Sequence, residues 1–286
     1  AIPPFTDLVV QLSGFGMLAL VVWRHWGSLV ALSASSLVGL SLGPVLLTIL
    51  ACRKFRYGLR RSPAADADRR ALITKGVFFF VTVLGELLVL QSDAFVIGAI
   101  LGAAAVPVFL IPNTLWMNFL QAQNIFLRPL WPMLTHSYAG RDYVRLQGLI
   151  RKGLLLSLGC AILFAGGLVL LGNWFIHWWS KGVASLPPIM AWGFAAYVIV
   201  SSMDNILATC LNAFGLIEVR FGYTLLFGIT KVLVAIAVLH FASIQWLPWA
   251  FVTAMMLTSI PFASVALWRT LSRLKAEASN LAVAST

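Results

Sequence analysis

A chain of 286 residues that is 60% hydrophobic and only 10% charged, with a mean hydropathy of +0.94, falls far from soluble domains, in which about 25% of residues are charged. Its 20 Lys and Arg outnumber its 9 Asp and Glu, but the basic residues gather between and beside apolar runs, so no nucleic-acid partner is expected. Three cysteines, Cys52, Cys160 and Cys210, are odd in number and lack metal-ligand spacing; they support neither a disulfide framework nor a metal site and read as small core residues.

Apolar runs close to the roughly 20 residues needed to cross a bilayer as helix recur along the chain, without the ten-residue alternation of a barrel. The fold class expected is all-α, a polytopic membrane protein with eight spans at 7–23, 28–51, 76–101, 106–133, 150–171, 187–212, 219–240 and 246–268. The first two spans, residues 1–52, form one unit. A basic linker containing SPAADAD follows over 53–75, then a six-helix unit over 76–270 and a tail over 271–286, of which AEASNLAVAST reads as disordered. The opening AIPPFTDL has neither an initiator Met nor a signal-peptide pattern and reads as the later part of a longer protein.

Alternating spans place sixteen basic residues on one side: Arg53, Lys54, Arg56, Arg60, Arg61, Arg69, Arg70 and Lys75, then Arg141, Arg145, Arg151 and Lys152, then Arg220, and last Arg269, Arg273 and Lys275. Only Arg24 and Lys181 fall on the other, while Arg128 and Lys231 lie within spans. By the positive-inside rule the crowded side is cytoplasmic and holds both ends of this chain. Trp23, Trp26, Trp174, Trp178, Trp179, Trp246 and Trp249 all fall at the opposite ends of spans, where amphipathic rings favour the headgroup zone. His25, His177 and His240 share those outer ends and His136 an inner one; they read as interfacial rather than as ligands.

Five charges fall inside spans: Glu86, Asp93, Arg128, Asp204 and Lys231. Each costs at least about 2.5–3.5 kcal/mol at the bilayer centre unless it meets a partner, a bundle interior or water. Counted from the cytoplasmic helix ends, Glu86, Arg128, Asp204 and Lys231 come out at a common depth of very roughly 13–17 Å, with Asp93 higher. The expected pairs are Asp204 with Lys231 and Glu86 with Arg128, leaving Asp93 without an evident partner. Asp93 has two open readings: hydrogen bonding to neighbouring helices, or coupling to a proton or sodium ion.

Thr114, Asn118, Gln121, Asn124 and Arg128 recur at spacings of three and four and fall within about 120° of the fourth span's circumference. Ser201, Asn205, Thr209 and Asn212 form a second stripe on the sixth span, with Asp204 at its margin. In lipid such stripes face protein or water, so they act as interhelical hydrogen-bond glue or line a polar cavity. Arg128, flanked by Pro129 and Pro132, has the planar fork that suits a phosphate. No glycine-rich phosphate cradle, HExxH or paired-carboxylate arrangement occurs, so no catalytic residues, metal or cofactor are expected. The enzymatic alternative is a membrane-embedded glycan ligase or lipid-linked glycosyltransferase.

From Lys75 to Asp142 the fragments KGVFFF, QSDAFVIGAILGAAAV, LRPLWPMLTHSYAGRD and then YVRLQGLIRKG follow in an order that resembles the second half of polysaccharide (O-antigen or exopolysaccharide) flippases of the multidrug/oligosaccharidyl-lipid/polysaccharide exporter superfamily. Where that family often carries Tyr after the tight outer turn, this chain reads VPVFL, so no role passes to that position. The resemblance implies that the eight spans match helices five to twelve of a twelve-helix, two-lobe transporter of the bacterial inner membrane. Its substrate would be an undecaprenyl-pyrophosphate-linked oligosaccharide, moved from the cytoplasmic to the periplasmic leaflet by alternating access. It also implies membrane lipids and polysaccharide polymerase or assembly proteins as partners. Within this implication Arg128, Asn118, Gln121, Asn124, Asn205 and Lys231 are the candidate cavity residues, and Asp93, Glu86 and Asp204 the candidate coupling or buried charges. A cation-coupled drug exporter of the same superfamily and a truncated, inactive product are the other expectations.

Overall fold

The computed structural model describes residues 92–182 and 184–284, together with 74, 76, 77, 80, 81 and 85, all within the second of the two units into which the chain divides, Arg70–Thr286. The expected spans at 7–23 and 28–51, the linker apart from Thr74, Cys52 and Glu86 lie outside the described residues. Among the described residues 90% are helical and no strand occurs. Five helices are long and apolar enough to cross a membrane, namely Ala103–Leu127, Tyr143–Trp179, Pro188–Ala213, Ile217–Phe241 and Ile244–Ala276. The described part of the chain is thus all-helical, with the apolar helices of a polytopic membrane protein.

Helix α1, Ser92–Leu101, ends at Gly102, whose φ of +86° is one that glycine adopts at little cost, and a single 3-10 turn leads into α2, Val106–Leu127. The sequence predicted one helix over 106–133, but the chain breaks at Arg128–Pro129 and resumes as α3, Leu130–Ala139. Pro129 and Pro132 lack the N–H groups that would bond back to Ile125 and Arg128, which ends α2 there. Asp142 then caps α4, Tyr143–Trp179, by accepting from the Arg145 N–H at 3.0 Å. This helix has 37 residues and runs about 55 Å, so it continues beyond the apolar stretch predicted at 150–171, through a basic end on one side and an aromatic one on the other.

Helices α5, Pro188–Ala213, and α6, Ile217–Phe241, agree with their predicted spans to within two residues. The predicted span at 246–268 is divided instead into α7, Leu247–Leu257, and α8, Ser259–Ala284. Pro261 cannot donate to the Leu257 carbonyl, and the chain bends at Thr258. The backbone of α8 stays helical to Ala284, which corrects the expectation of a disordered tail: Ala, Leu, Glu and Lys in that segment are good helix formers.

Helix α5 is the centre of the bundle. In its most apolar window 72% of residues are buried, against 22–44% in the other four spans. Its small residues, among them Ala191, Gly193, Ala195, Ser201, Ser202, Ala208 and Ala213, let neighbouring helices approach closely, which is how helices associate where lipid removes the hydrophobic drive. Around it one apolar cluster includes Phe109, Trp116, Phe194, Tyr197 and Phe251, and a second, toward the basic end, includes Leu134, Leu146, Ile206 and Leu211. Leu163, Leu170, Trp174 and Trp178 face outward, as a lipid-bathed surface requires.

A Cβ at Gly193 would lie 2.9 Å from Trp249 Cδ1 and 3.0 Å from Pro248 Cβ, while the Trp249 indole donates to the Ile189 carbonyl at 3.0 Å. Gly193→Ala is therefore expected to displace Trp249 and cost about 1–3 kcal/mol. Gly166→Ala, where a Cβ meets nothing within 4 Å, is the matched control. Thermal unfolding in detergent checks this: a lower midpoint for the first variant and none for the second.

Candidate functional site

The two predicted polar stripes meet. Gln121 and Asn124 of α2, Ser201, Asp204 and Asn205 of α5, and Arg220, Tyr223 and Thr224 of α6 contribute to a cavity of about 320 Å³. A second cavity of about 300 Å³, toward the basic end, is lined by Asn124, Arg128, Trp131, Asn205, Thr209, Asn212 and Arg220 among others. Asn124, Asn205, Ala208 and Arg220 line both, so the two form one polar cleft.

The cleft wall is held by the same side chains that line it. Asn205 Nδ2 donates to Gln123 Oε1 at 3.1 Å and to Asn124 Oδ1 at 3.0 Å, tying α5 to α2. Gln123 Nε2 donates in turn to Ser157 Oγ of α4, and Ser157 Oγ to the Ser202 carbonyl at 3.4 Å. Higher up, the Trp116 indole donates to Ser201 Oγ at 3.0 Å. Glue and lining, posed as alternatives, are both realised along these helices. Two members of the first stripe do not take part: Thr114 bonds back to the Leu110 carbonyl at 2.8 Å, and Asn118 is exposed outside both cavities. Asn212 is 9% exposed, and its Oδ1 has no hydrogen-bond partner among the described residues, leaving an acceptor at the lower cavity.

The predicted pairing of Asp204 with Lys231 is overturned. Lys231 Nζ lies 2.8 Å from Asp93 Oδ2, with the two side chains 2% and 4% exposed. Lys231 is therefore not a cavity residue and Asp93 is not the carboxylate left over. The ammonium also sits 4.4 Å from the centre of the Phe251 ring. The depths explain the error. Asp93 lies nine residues from Gly102 and Lys231 ten from Phe241, so counted from the tryptophan ends both sit at about 14 Å. Asp204, sixteen residues from Pro188, is about 10 Å deeper and lines the cleft, while Arg128 stands at the end of α2 and not in the same layer. Glu86 lies outside the described residues.

Three rings join the cleft to the ion pair. Trp116 stacks on Tyr197 at 4.6 Å, both lining the cleft, and Tyr197 meets Phe251 at 5.7 Å. Arg220, Gln123, Trp116 and Tyr197 were missed by sequence reasoning. For Gln123 a signal exists: with Phe109, Trp116 and Leu127 it keeps the spacing of the buried face of α2, where an amide requires partners. Arg220 sits among the basic residues assigned to the cytoplasmic side, and nothing in its spacing separates it from them.

Comparison with family models, curated proteins and solved structures finds no match to this chain. The site is therefore read from its own chemistry. It combines amide and hydroxyl groups with two guanidinium groups, Arg128 and Arg220, and one carboxylate, Asp204, in a cleft bounded by membrane-length helices.

Breaking a buried ion pair leaves an uncompensated charge and costs roughly 3–5 kcal/mol, whereas replacing both partners by apolar groups is often neutral. Lys231→Met alone is expected to lower the melting midpoint sharply, and Lys231→Met with Asp93→Leu to recover most of the loss. Combining Lys231→Met with Asp204→Leu is expected to recover none. Midpoints of the four proteins in detergent decide it.

Proposed function

We infer that the chain is the later part of a transporter moving an undecaprenyl-pyrophosphate-linked oligosaccharide from the cytoplasmic to the periplasmic leaflet by alternating access. The observation that carries this reading is the continuous polar cleft between α2, α5 and α6, with Arg128 and Arg220 toward its basic end. Arg offers a planar fork of donors matched to phosphate oxygens. The amides of Gln121, Asn124, Asn205 and Asn212 and the hydroxyls of Ser201 and Thr209 supply both donors and acceptors for sugar hydroxyls. A lipid tail needs no cavity and stays in the bilayer.

In this reading eight spans belong to the chain, the described helices form the second lobe of a two-lobe transporter in the bacterial inner membrane, and both ends of the chain are cytoplasmic. The basic ends of α4, α6 and α8 then meet the leaflet from which an anionic head group enters. The membrane potential is worth about 2.3 kcal/mol per charge per 100 mV, which favours outward movement of an anion or inward movement of a coupling proton or sodium ion. Asp204, the carboxylate that lines the cleft, is the residue of choice for such coupling.

The test uses cells lacking the complete gene. They are expected to accumulate the lipid-linked oligosaccharide on the cytoplasmic face, with the full-length gene reversing it. Arg128→Ala and Arg220→Ala are each expected to reduce rescue at least tenfold at equal protein level, and the Lys replacements less. Absence of accumulation, with loss of resistance to cationic drugs, would instead identify a cation exporter.

A further inference from the structure

On a face of α2 adjoining the polar cleft, with Leu127 bordering both, lies a cavity of different character. It holds about 260 Å³ between α2, α3 and α4, and its walls include Phe119, Phe126, Leu130, Met133 and Leu156. Its polar floor is already satisfied: Gln123 and Ser157, which line it, bond to each other, to Asn205 and to the Ser202 carbonyl. The floor therefore offers an occupant mainly apolar contact. The groove exists because α2 breaks at Pro129 and because α4 carries Gly153 at the crossing, where a Cβ would come within 2.7 Å of Leu130 Cδ2. Phe126, Leu156 and Met133 are 60%, 56% and 43% exposed, so the groove opens on the surface that faces lipid.

One charged residue lines it, Lys152, and its depth is informative. Lys152 lies 22 residues along α4 from Trp174, about 33 Å, which matches the roughly 30 Å hydrocarbon core. With the exposed Trp174 in one headgroup layer, Lys152 stands in the other. Arg145, seven residues earlier, shares its helix face and lies about 10 Å further out. An apolar slot inside the hydrocarbon that ends in an ammonium at headgroup level complements one amphiphile: a chain with an anionic head.

We propose that the groove between α2, α3 and α4 binds an anionic phospholipid, one acyl chain lying between Phe126 and Leu156 and the phosphate at Lys152. The site does not depend on the transport reading. Its charged residue, Lys152 of α4, lines neither cavity of the polar cleft, although Leu127 borders both the groove and the lower cavity.

The whole 286-residue chain is reconstituted in phosphatidylethanolamine vesicles doped with phosphatidylglycerol carrying a diazirine in its acyl chain, or with phosphatidylcholine carrying the same group, and adducts are mapped by mass spectrometry. Phosphatidylglycerol is expected to label residues 119–133 and 149–160 about fivefold more than phosphatidylcholine, the weight of one basic side chain near an anionic surface. Lys152 is exposed, so Lys152→Gln keeps the fold, verified by an unchanged melting midpoint, and is expected to bring the ratio to near one. Ala122→Trp, filling the groove, is expected to abolish labelling there by both lipids. The proposal is overturned if wild-type protein labels equally with both lipids, if adducts spread equally to the faces bearing Leu163 and Leu170, or if the preference survives Lys152→Gln. Displacement of the label by an undecaprenyl phosphate in place of unlabelled phosphatidylglycerol would overturn it too, by making the groove a polyprenyl site.

Discussion

The buried contact between Lys231 and Asp93 is the constraint on which the arrangement of this helical unit turns. Neither charge can be hydrated where it lies, and a lone ammonium or carboxylate there would have to move to an interface or lose its charge. Each therefore fixes the other, across 138 residues of chain, and α1 is docked against α6 by a bond of defined length and direction rather than by apolar packing alone. Phe251 covers the ammonium, Tyr197 packs on Phe251, and Trp116 stacks on Tyr197. The top of the polar cleft is thus built on aromatic rings whose far end rests on the ion pair. It also follows that Lys231 adds no net charge to the cleft, whose described charged lining is Asp204, Arg128 and Arg220.

The second constraint is that one helix serves both packing and chemistry. Much of α5 consists of small or apolar residues that bring α4 and α7 close, yet its polar stripe faces the cleft. Asn205 joins the two roles: its amide nitrogen bonds to Gln123 and Asn124, and the residue still borders both cavities. A side chain held in this way is pre-organised, because its rotamer is set before any ligand arrives. Asn212, with an unmatched buried acceptor two stripe positions further on, differs in that a donor has still to be found for it.

Periodicity was legible in the sequence and depth was not. The polar stripes could be read because positions three and four apart share a helix face whatever lies around them, and α5 and α6 could be bounded because their ends carry turn residues such as Gly215. The ion pair could not be read by counting from the cytoplasmic ends, since the helices do not begin at a common level; from the tryptophan ends, Asp93 and Lys231 come out level. Proline breaks at Pro129 and Pro261 were hidden inside apolar runs that look continuous to a hydropathy count. Arg220 was hidden for another reason: its partners in the cleft come from α2 and α5, and only the tertiary fold brings those helices to it.

The break after α2 links the features of the basic end. Had α2 continued to residue 133 as one helix, Arg128 would stand mid-helix instead of at a terminus beside the cleft, and α3 would not turn toward α4. The two prolines end the hydrogen-bond ladder there at modest cost, because a helix terminus near the headgroups can give its free carbonyls to water. The turn that follows has unlike sides. Arg128 and Trp131 border the polar cavity, whereas Pro129, Leu130 and Met133 border the apolar groove. A short segment thus separates a surface suited to phosphates and hydroxyls from one suited to hydrocarbon, and it does so where the bilayer itself changes from one to the other.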